Sequence, residues 1–362
     1  MAYQNVGTPR FYINTMEWLH SVGGLIDDRN LDLVLTIPSN ILDLESLAST
    51  FSTWNTTPNP HGWNDTLYFP RTATPLSELI GAKGFVAHLG HNYASCEVGV
   101  RLDQGSPNWN SAAFTEDIVN VPESSITILN PTTEDSDTVG DSMKTSYDGF
   151  SIYLADYTNQ SAQSNPRIRC DYYGSGTPYN GSRVEAGSII LGSYYDMPHS
   201  PDLNLTMTRE YGGIKTIETK GGASLSNAFY TKPAMWGEGG AWELYSGTPN
   251  HALARSGRRV WDLSFSYLQN SDIFPAYSSL QRYGTYEDWD DVTEDTLLVS
   301  DNFFSQVIHK TNGGQLPFIF QPDSSNNNPD QFAICKFDQK SFQFKQVANG
   351  IYNVKLKIRE VW

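Results

Sequence analysis

The sequence is poor in positive charge and in charged residues altogether. Lys and Arg total 24 against 40 Asp and Glu, which gives the 362 residues a formal net charge of −16. Binding along a phosphate backbone needs clustered Lys and Arg, so we expect no nucleic-acid partner. Charged residues are only 18% of the chain and aromatic residues 13%, a composition that excludes global disorder.

The sequence also lacks a long apolar run and has few cysteines. No run of about 18 apolar residues occurs, so we expect no membrane insertion. The N-terminus, MAYQNVGTPRFYINTMEW, has no basic stretch followed by an apolar core, so we expect no secretory signal. The distant Cys96, Cys170 and Cys335 predict buried free thiols made in a reducing cytosol. A Cys96–Cys170 disulfide is the alternative.

Common catalytic signatures are missing. The sequence has no G-x-x-x-x-G-K-[ST], no G-x-S-x-G and no H-E-x-x-H. His88 and His91 have H-x-x-H spacing, but the residues around them predict a strand running into a turn, where the two rings point to opposite faces. Zinc normally needs three or four convergent ligands. We therefore predict no enzymatic activity, no metal and no cofactor.

Alternating residues predict a mainly β protein. Residues 203–208, 261–267 and 354–359 each alternate apolar with polar side chains, which is typical of a strand with one wet face. Shorter strands are expected at 126–128, 150–153 and 188–191. Turn residues separate these strands at irregular intervals, a pattern that suits a sandwich or jelly roll.

Helix signals are sparse. Asn14 and Glu17 fit a capping box that opens a helix with Met16, Leu19 and Val22 at helical spacing. A second helix is predicted after Ser300-Asp301 and ends at Gly313-Gly314. Its apolar face would carry Phe303, Phe304, Val307 and Ile308, with Lys310 in the last turn. A short helical turn is expected at 76–80.

These elements divide the chain into three predicted parts. Residues 1–80 form an N-terminal segment with one short helix. Residues 81–210 form a jelly-roll-like β domain. Residues 211–362 form a second β unit that carries one α-helix. The predicted fold class is thus mainly β, with a jelly-roll β-sandwich plus a second β unit carrying one α-helix.

Polar and glycine-rich stretches predict loops between these elements. Residues 130–145 and 286–295 are acidic, and residues 322–330 are polar. The stretch from Gly221-Gly222 to Gly240 mixes glycine with aromatic residues. An aromatic loop of that kind is expected to dock on a neighbour. If the chain is a subunit of a larger assembly, loops 130–145 and 222–240 are the predicted inter-subunit contacts.

Five segments together resemble virion proteins of tailed bacteriophages. Residues 84–100, GFVAHLGHNYASCEVGV, are similar to early strands of a galactose-binding-like jelly roll in phage tail proteins, and residues 187–213 to a late strand of that unit. Residues 256–265, SGRRVWDLSF, resemble the start of their C-terminal unit. The stretch GGQLPFIFQPD at 313–323 and the closing REVW resemble the end of distal-tail and tail-tip proteins. The order and spacing of the segments carry the resemblance, which covers residues 80–362.

The resemblance implies a non-enzymatic structural component of the virion, located in the tail tip, the baseplate or an adjoining tail ring. Such a protein is made in the host cytoplasm, forms a homo-oligomeric ring and contacts other virion tail proteins. Symmetric rings are held by repeated heterologous contacts, so aromatic-rich edges become interfaces. The residues predicted for the subunit interface are Phe229, Tyr230, Met235, Trp236 and Trp242.

Two alternatives stay open. A glycan-binding adhesion module would use jelly-roll aromatics to contact a host surface glycan, and the predicted contacts are Tyr172, Tyr173, Tyr194 and Tyr195. A glycan-cleaving enzyme would need two carboxylates around a sugar. Candidates for that pair are Asp196, Asp202, Glu210 and Glu218.

Overall fold

The structure is a computed structural model, and the fold is mainly β. The structure describes residues 5–26, 52–54, 63–68, 71–72, 76–91, 97–103, 118–119, 127–128, 142–144, 149–155, 167–173, 184–186, 188–210, 214–228, 257–276, 278, 297–327 and 331–361. All strand pairs in these ranges are antiparallel. The mainly β class predicted from the alternating residues is confirmed.

The strands extend over the length of the chain. Their bounds are β1 (Arg10–Ile13), β2 (Leu25–Ile26), β3 (Ser52–Trp54), β4 (Trp63–Tyr68), β5 (Arg71–Thr72), β6 (Gly84–His91), β7 (Glu97–Asp103), β8 (Ile118–Val119), β9 (Thr127–Ile128), β10 (Ser142–Lys144), β11 (Gly149–Ala155), β12 (Arg167–Tyr173), β13 (Val184–Ala186), β14 (Ser188–Asp196), β15 (Thr206–Glu210), β16 (Ile214–Glu218), β17 (Ser224–Ala228), β18 (Arg258–Gln269), β19 (Phe318–Gln321), β20 (Ala333–Phe337), β21 (Phe344–Ala348) and β22 (Ile351–Glu360).

One large sheet organises the fold. It has 11 strands in the order β15-β18-β22-β20-β19-β1-β14-β6-β11-β9, and β21 pairs with β22 beside this path. A 5-stranded sheet contains β10, β7, β12 and β4, with β8 paired to β7. The pairs β13-β3, β16-β17 and β2-β5 form separate two-stranded sheets.

The middle of the large sheet is apolar on both faces. Successive strand residues point to opposite faces, and β1 therefore contributes to two core clusters. Phe11 packs with Phe318 and Phe320 in one cluster, which the helical residues Phe303 and Val307 also join. On the other face, the hydroxyl of the buried Tyr12 donates to Gln321 Oε1 at 2.7 Å, so its polar end is satisfied.

The first predicted helix is confirmed as α1 (Thr15–Ser21). The side chain of Asn14 accepts from the backbone N–H of Glu17 at 3.2 Å, as the capping pattern indicates. Met16 and Leu19 are buried, but Val22 lies beyond the helix and is 53% exposed. The short turn is present as α2 (Leu76–Leu79), and a further short helix, α3 (Asn270–Ile273), follows β18.

The second predicted helix is present with a different winding. Residues Phe304–Ile308 form a π-helix, and His309–Thr311 continue it as a 3₁₀ turn. Buried residues are not confined to the apolar face of this helix: Ser305, Gln306 and Lys310 are buried together with its apolar side chains. Among the described residues, no helix has the length and apolar character needed to cross a membrane.

Strand β18 departs from the predicted alternation at its C-terminal end. Trp261, Leu263 and Phe265 are buried as expected. The register with β22 then shifts between Phe265 and Leu268. Tyr267 is 76% exposed, and Leu268 takes the buried position. The reason is a β-bulge, which inserts extra residues and reverses the facing of those that follow.

Three other stretches differ from the predictions. Residues 203–205 precede β15 instead of forming part of it, and Leu203 is fully exposed. Within the predicted 130–145 loop, Ser142–Lys144 form β10 because they find a partner in β7. Within the predicted 222–240 loop, Ser224–Ala228 form β17. The loop predicted at 286–295 lies outside the described residues.

The large sheet runs through all three predicted parts of the chain. It contains β1 from residues 1–80, β6 and β14 from residues 81–210, and β18 to β22 from residues 211–362. In particular, β1 lies between β14 and β19 and pairs with both. The N-terminal segment thus joins the two β units within one sheet. The division into three domains, and the jelly-roll arrangement of the second, stay predictions.

Candidate interaction surface

A hairpin formed by residues 214–228, which we call the arm, pairs with no other described strand. Its strands β16 and β17 bond only to each other. A tight turn joins them, in which Gly222 N–H donates to Thr219 O at 2.9 Å and Ala223 N–H donates to Thr219 Oγ1 at 3.1 Å. Gly222 has a φ of 79°, a left-handed conformation that glycine adopts without strain. Hydrogen bonds within the arm therefore close its turn.

The arm exposes an apolar pair. All residues from 216 to 225 are exposed, and Ile217 lies directly opposite Leu225. Ile217 is 58% exposed and Leu225 60%. A lone two-stranded hairpin is only marginally stable in water, and exposed apolar surface on a soluble protein marks interaction sites. The arm is therefore a candidate for contact with another molecule.

A second exposed apolar surface lies where β18 passes the segment that leads into β15. We call this region the edge patch; it comprises the exposed Leu203 and Tyr267, the carboxylate of Asp202, and the carboxylate of Asp272 in α3, which follows β18. Asp202 accepts from Ser266 Oγ at 2.8 Å, and its backbone N–H donates to Ser264 O at 2.7 Å. These bonds bring Leu203 alongside the end of β18.

The backbone of Tyr267 is strained so that its ring points outward. Its φ is 64°, which is an unfavourable value for an aromatic residue. The conformation is held by the backbone N–H of Tyr267, which donates to Asn353 Oδ1 at 3.2 Å. Strain of this kind often accompanies functional sites. The bulge therefore holds a large aromatic side chain in solvent.

The two carboxylates of the edge patch are not neutralised by any described cation. Asp272 accepts from the backbone N–H of Gln269 at 2.7 Å, and Asp202 from Ser266. Neither forms an ion pair within the described part of the chain. Lys355 and Lys357 lie on β22, on the other side of β18. The patch thus combines apolar side chains with uncompensated negative charge.

A buried ion pair fixes the strand that carries the patch. Arg259 on β18 is 0% exposed, and its Nη2 donates to Glu360 Oε1 at 3.1 Å and to Phe332 O at 2.8 Å. The backbone N–H of Arg259 also donates to Glu360 Oε2 at 2.8 Å. The two charges satisfy each other deep in the sheet, which links β18 to β22 and to Phe332, just before β20.

A buried lysine joins the helical layer to the sheet. Lys310 Nζ donates to Leu79 O at 2.6 Å and to Gln306 Oε1 at 2.7 Å. Ser193 on β14 donates to the same Gln306 oxygen at 3.3 Å. Burial lowers the pKa of Lys310 to about 7, which the charge of Asp301 partly offsets. Since Lys310 is 0% exposed, this cluster packs elements together and offers no open site.

The tyrosines predicted to contact a glycan divide into three environments. Tyr195 is 3% exposed, and its hydroxyl donates to Asp272 O at 2.9 Å, so it has no ring face at the surface. Tyr194 points to the opposite face and is half-buried, with the Arg10 guanidinium 4.4 Å from its ring centre. Tyr172 and Tyr173 lie on β12, and their side chains fall outside the described part.

The four carboxylates considered for glycan cleavage lie on separate elements. Asp196 at the end of β14 pairs with Arg10 at 2.6 Å, and Glu210 at the end of β15 pairs with Arg359 at 2.6 Å. Glu218 is exposed on the arm, and Asp202 belongs to the edge patch. In the described ranges, no three His, Cys, Asp or Glu side chains gather at a candidate metal site.

The residues predicted for the subunit interface follow the arm in sequence. Phe229, Tyr230, Met235, Trp236 and Trp242 lie outside the described residues, so their role stays a prediction.

His88 and His91 both lie on β6, as the strand prediction required. Cys335 is a buried free thiol, as predicted.

The sequence carried a partial signal for the arm and none for the patch. The alternating residues 214–219, which lie between two glycine pairs, indicate the first strand. The second strand, SLSNA, has one large apolar residue and was therefore predicted as loop. Tyr267 continues the apolar alternation of β18, so the pattern predicts a buried side chain at this position. Its exposure depends on a β-bulge, and no residue nearby in sequence indicates that bulge.

Comparisons with known proteins give this chain no relatives: no family model, no curated protein and no solved structure matches it.

Proposed function

We propose that this protein is a non-enzymatic structural subunit of a tailed-phage virion. It assembles into a symmetric oligomer in the tail tip, the baseplate or an adjoining tail ring, and it contacts other virion proteins there. The observation that carries the oligomer is the arm, a hairpin whose apolar pair Ile217 and Leu225 is exposed in the single chain. Burying such a pair favours association, because apolar area leaves water.

The position of the phage-like segments supports the proposal. They contribute β6, β14, β15, β18, β19 and β22, which belong to the large sheet, and the first residues of β7, which belongs to the 5-stranded sheet. Arg259 comes from the segment SGRRVWDLSF and Glu360 from the closing REVW. Their buried ion pair joins these two segments. Most of the strands from these segments therefore lie side by side in the large sheet.

Size-exclusion chromatography with light scattering, together with mass spectrometry of purified phage particles, tests the proposal. We expect an oligomer of more than two copies in solution and the chain among the particle proteins. A chain that is strictly monomeric and also missing from purified particles would remove the proposal.

A further inference from the structure

Exposed apolar side chains concentrate on two surfaces of this protein. The large apolar residues that are exposed in the described part are Val22, Leu203, Ile217, Leu225, Tyr267 and Val347. Four of these six belong to the arm or to the edge patch. Val22 and Val347 lie elsewhere, next to α1 and on β21. In the described part of the chain, exposed large apolar side chains therefore lie mainly on the arm and in the edge patch.

We propose that the arm of one copy docks on the edge patch of the next copy. This inference rests on the proposed oligomer and names the contact that builds it. The arm would bury Ile217 and Leu225 against Leu203 and Tyr267 of its neighbour.

The two surfaces are complementary in charge. The arm contains Lys215, Lys220 and Glu218, so it is net positive in a chain of net charge −16. The edge patch carries Asp202 and Asp272, which have no described ion-pair partner. A positive arm and a negative patch attract each other and disfavour arm-to-arm contact, where like charges would meet.

In the described part of the chain, the arm leaves the edge patch of its own chain exposed. Residues 216–225 of the arm are all exposed while Leu203 is 102% and Tyr267 76% exposed. Within the residues that the structure describes, both surfaces are thus exposed at the same time. Two different surfaces that fit each other make a heterologous contact, which closes into a ring when the rotation between copies permits.

The strain at Tyr267 agrees with this role. The bulge gives Tyr267 a φ of 64° and an exposed ring, although Leu268 fills the core position. An exposed aromatic ring contributes nothing to the core of the single chain. On docking it would supply a large rigid contact, of the type enriched at interface centres.

A mixing experiment with two variants of the full chain tests the contact. The arm variant carries Ile217→Asp and Leu225→Asp, and the patch variant carries Leu203→Asp and Tyr267→Gly. Each keeps one intact surface. We expect each variant alone to be monomeric, and an equimolar mixture to form a 1:1 dimer, since one good contact forms and the remaining surfaces cannot extend it. Val347→Asp, on β21, is the matched control and should assemble like the unmodified chain.

The single change Tyr267→Gly separates docking from folding. Glycine accepts the positive φ, so the variant should unfold at the same or a higher temperature than the unmodified chain. We expect its self-association to weaken at least tenfold. Unchanged association of Tyr267→Gly, or oligomers formed by the arm or patch variant alone, would overturn the docking inference while the proposed function stood. A strictly monomeric unmodified chain would instead remove both.

Discussion

At the scale of single residues, the least expected feature is that two positively charged side chains are fully buried. Arg259 and Lys310 are both 0% exposed, although their sequence positions suggest a strand start and a helix end. Arg259 has a carboxylate partner, whereas Lys310 has only neutral acceptors at hydrogen-bond distance. The two residues therefore respond differently to substitution and to pH.

Removal of one member of the Arg259–Glu360 pair should destabilise the fold strongly. We expect Glu360→Gln to lower the free energy of unfolding by about 3–5 kcal/mol, because it leaves a buried guanidinium without its counter-charge. Arg359 and Glu210 are the matched control, since they form an ion pair at 2.6 Å with both side chains 40% exposed. Glu210→Gln should cost at most about 1 kcal/mol. Urea denaturation measures both, and equal costs would contradict the assignment.

Lys310 should make stability depend on pH. Its pKa is lowered to about 7 in the folded chain from an ordinary value of 10.5, so the unfolded chain binds more protons between these two values. Stability from this group therefore rises with pH above about 7, by about 1.4 kcal/mol per pH unit. We expect the difference in unfolding free energy between the unmodified chain and Lys310→Met to move in favour of the unmodified chain from pH 7 to pH 9. A constant difference would show that Lys310 stays charged when folded.

At the scale of elements, the strand patterns were predictable and the exceptions were not. The alternation in β18 and β22 and the Asn14 cap gave correct elements because each depends on near neighbours in sequence. The bulge at Tyr267 and the π-helix Phe304–Ile308 depend on partners far along the chain. Contacts between residues far apart in sequence decide such features, and the periodicity of the sequence carries no information about those contacts.

The approach of β14 to β1 requires a glycine. A Cβ atom at Gly192 would lie 1.8 Å from the backbone oxygen of Ile13, and a backbone oxygen cannot move aside without breaking the sheet pairing. We expect Gly192→Ala to lower the free energy of unfolding by about 3 kcal/mol or more. Gly221→Ala is the control, because the nearest atom there is Thr219 Oγ1 at 4.0 Å. Thermal unfolding of both variants checks the prediction, and equal melting temperatures would contradict it.

At the scale of the whole molecule, one sheet connects stretches that the sequence assigned to separate parts. The connection comes from β1, which enters the sheet between β14 and β19 from a position far away in sequence. The candidate surface has the same origin. Leu203 and Tyr267 are 64 positions apart in sequence, and the hydrogen bonds of Asp202 with Ser264 and Ser266 join the residues that precede them.

The charge of −16 also takes on a more specific meaning at this scale. It first served to exclude phosphate-backbone binding. Within the described part, uncompensated acid lies in the edge patch, and the arm is net positive. Because charge attraction between exposed surfaces is screened by salt, the assembly should weaken in high salt. Light scattering at low and high ionic strength measures this effect, and tighter assembly at high salt would show that apolar burial alone drives the contact.

Sedimentation velocity of the purified full-length chain tests the central claim of a self-assembling structural subunit most directly. Across nanomolar to micromolar concentrations, we predict a cooperative shift from monomer to one closed oligomer of more than two copies. A single monomeric species at every concentration would contradict the account.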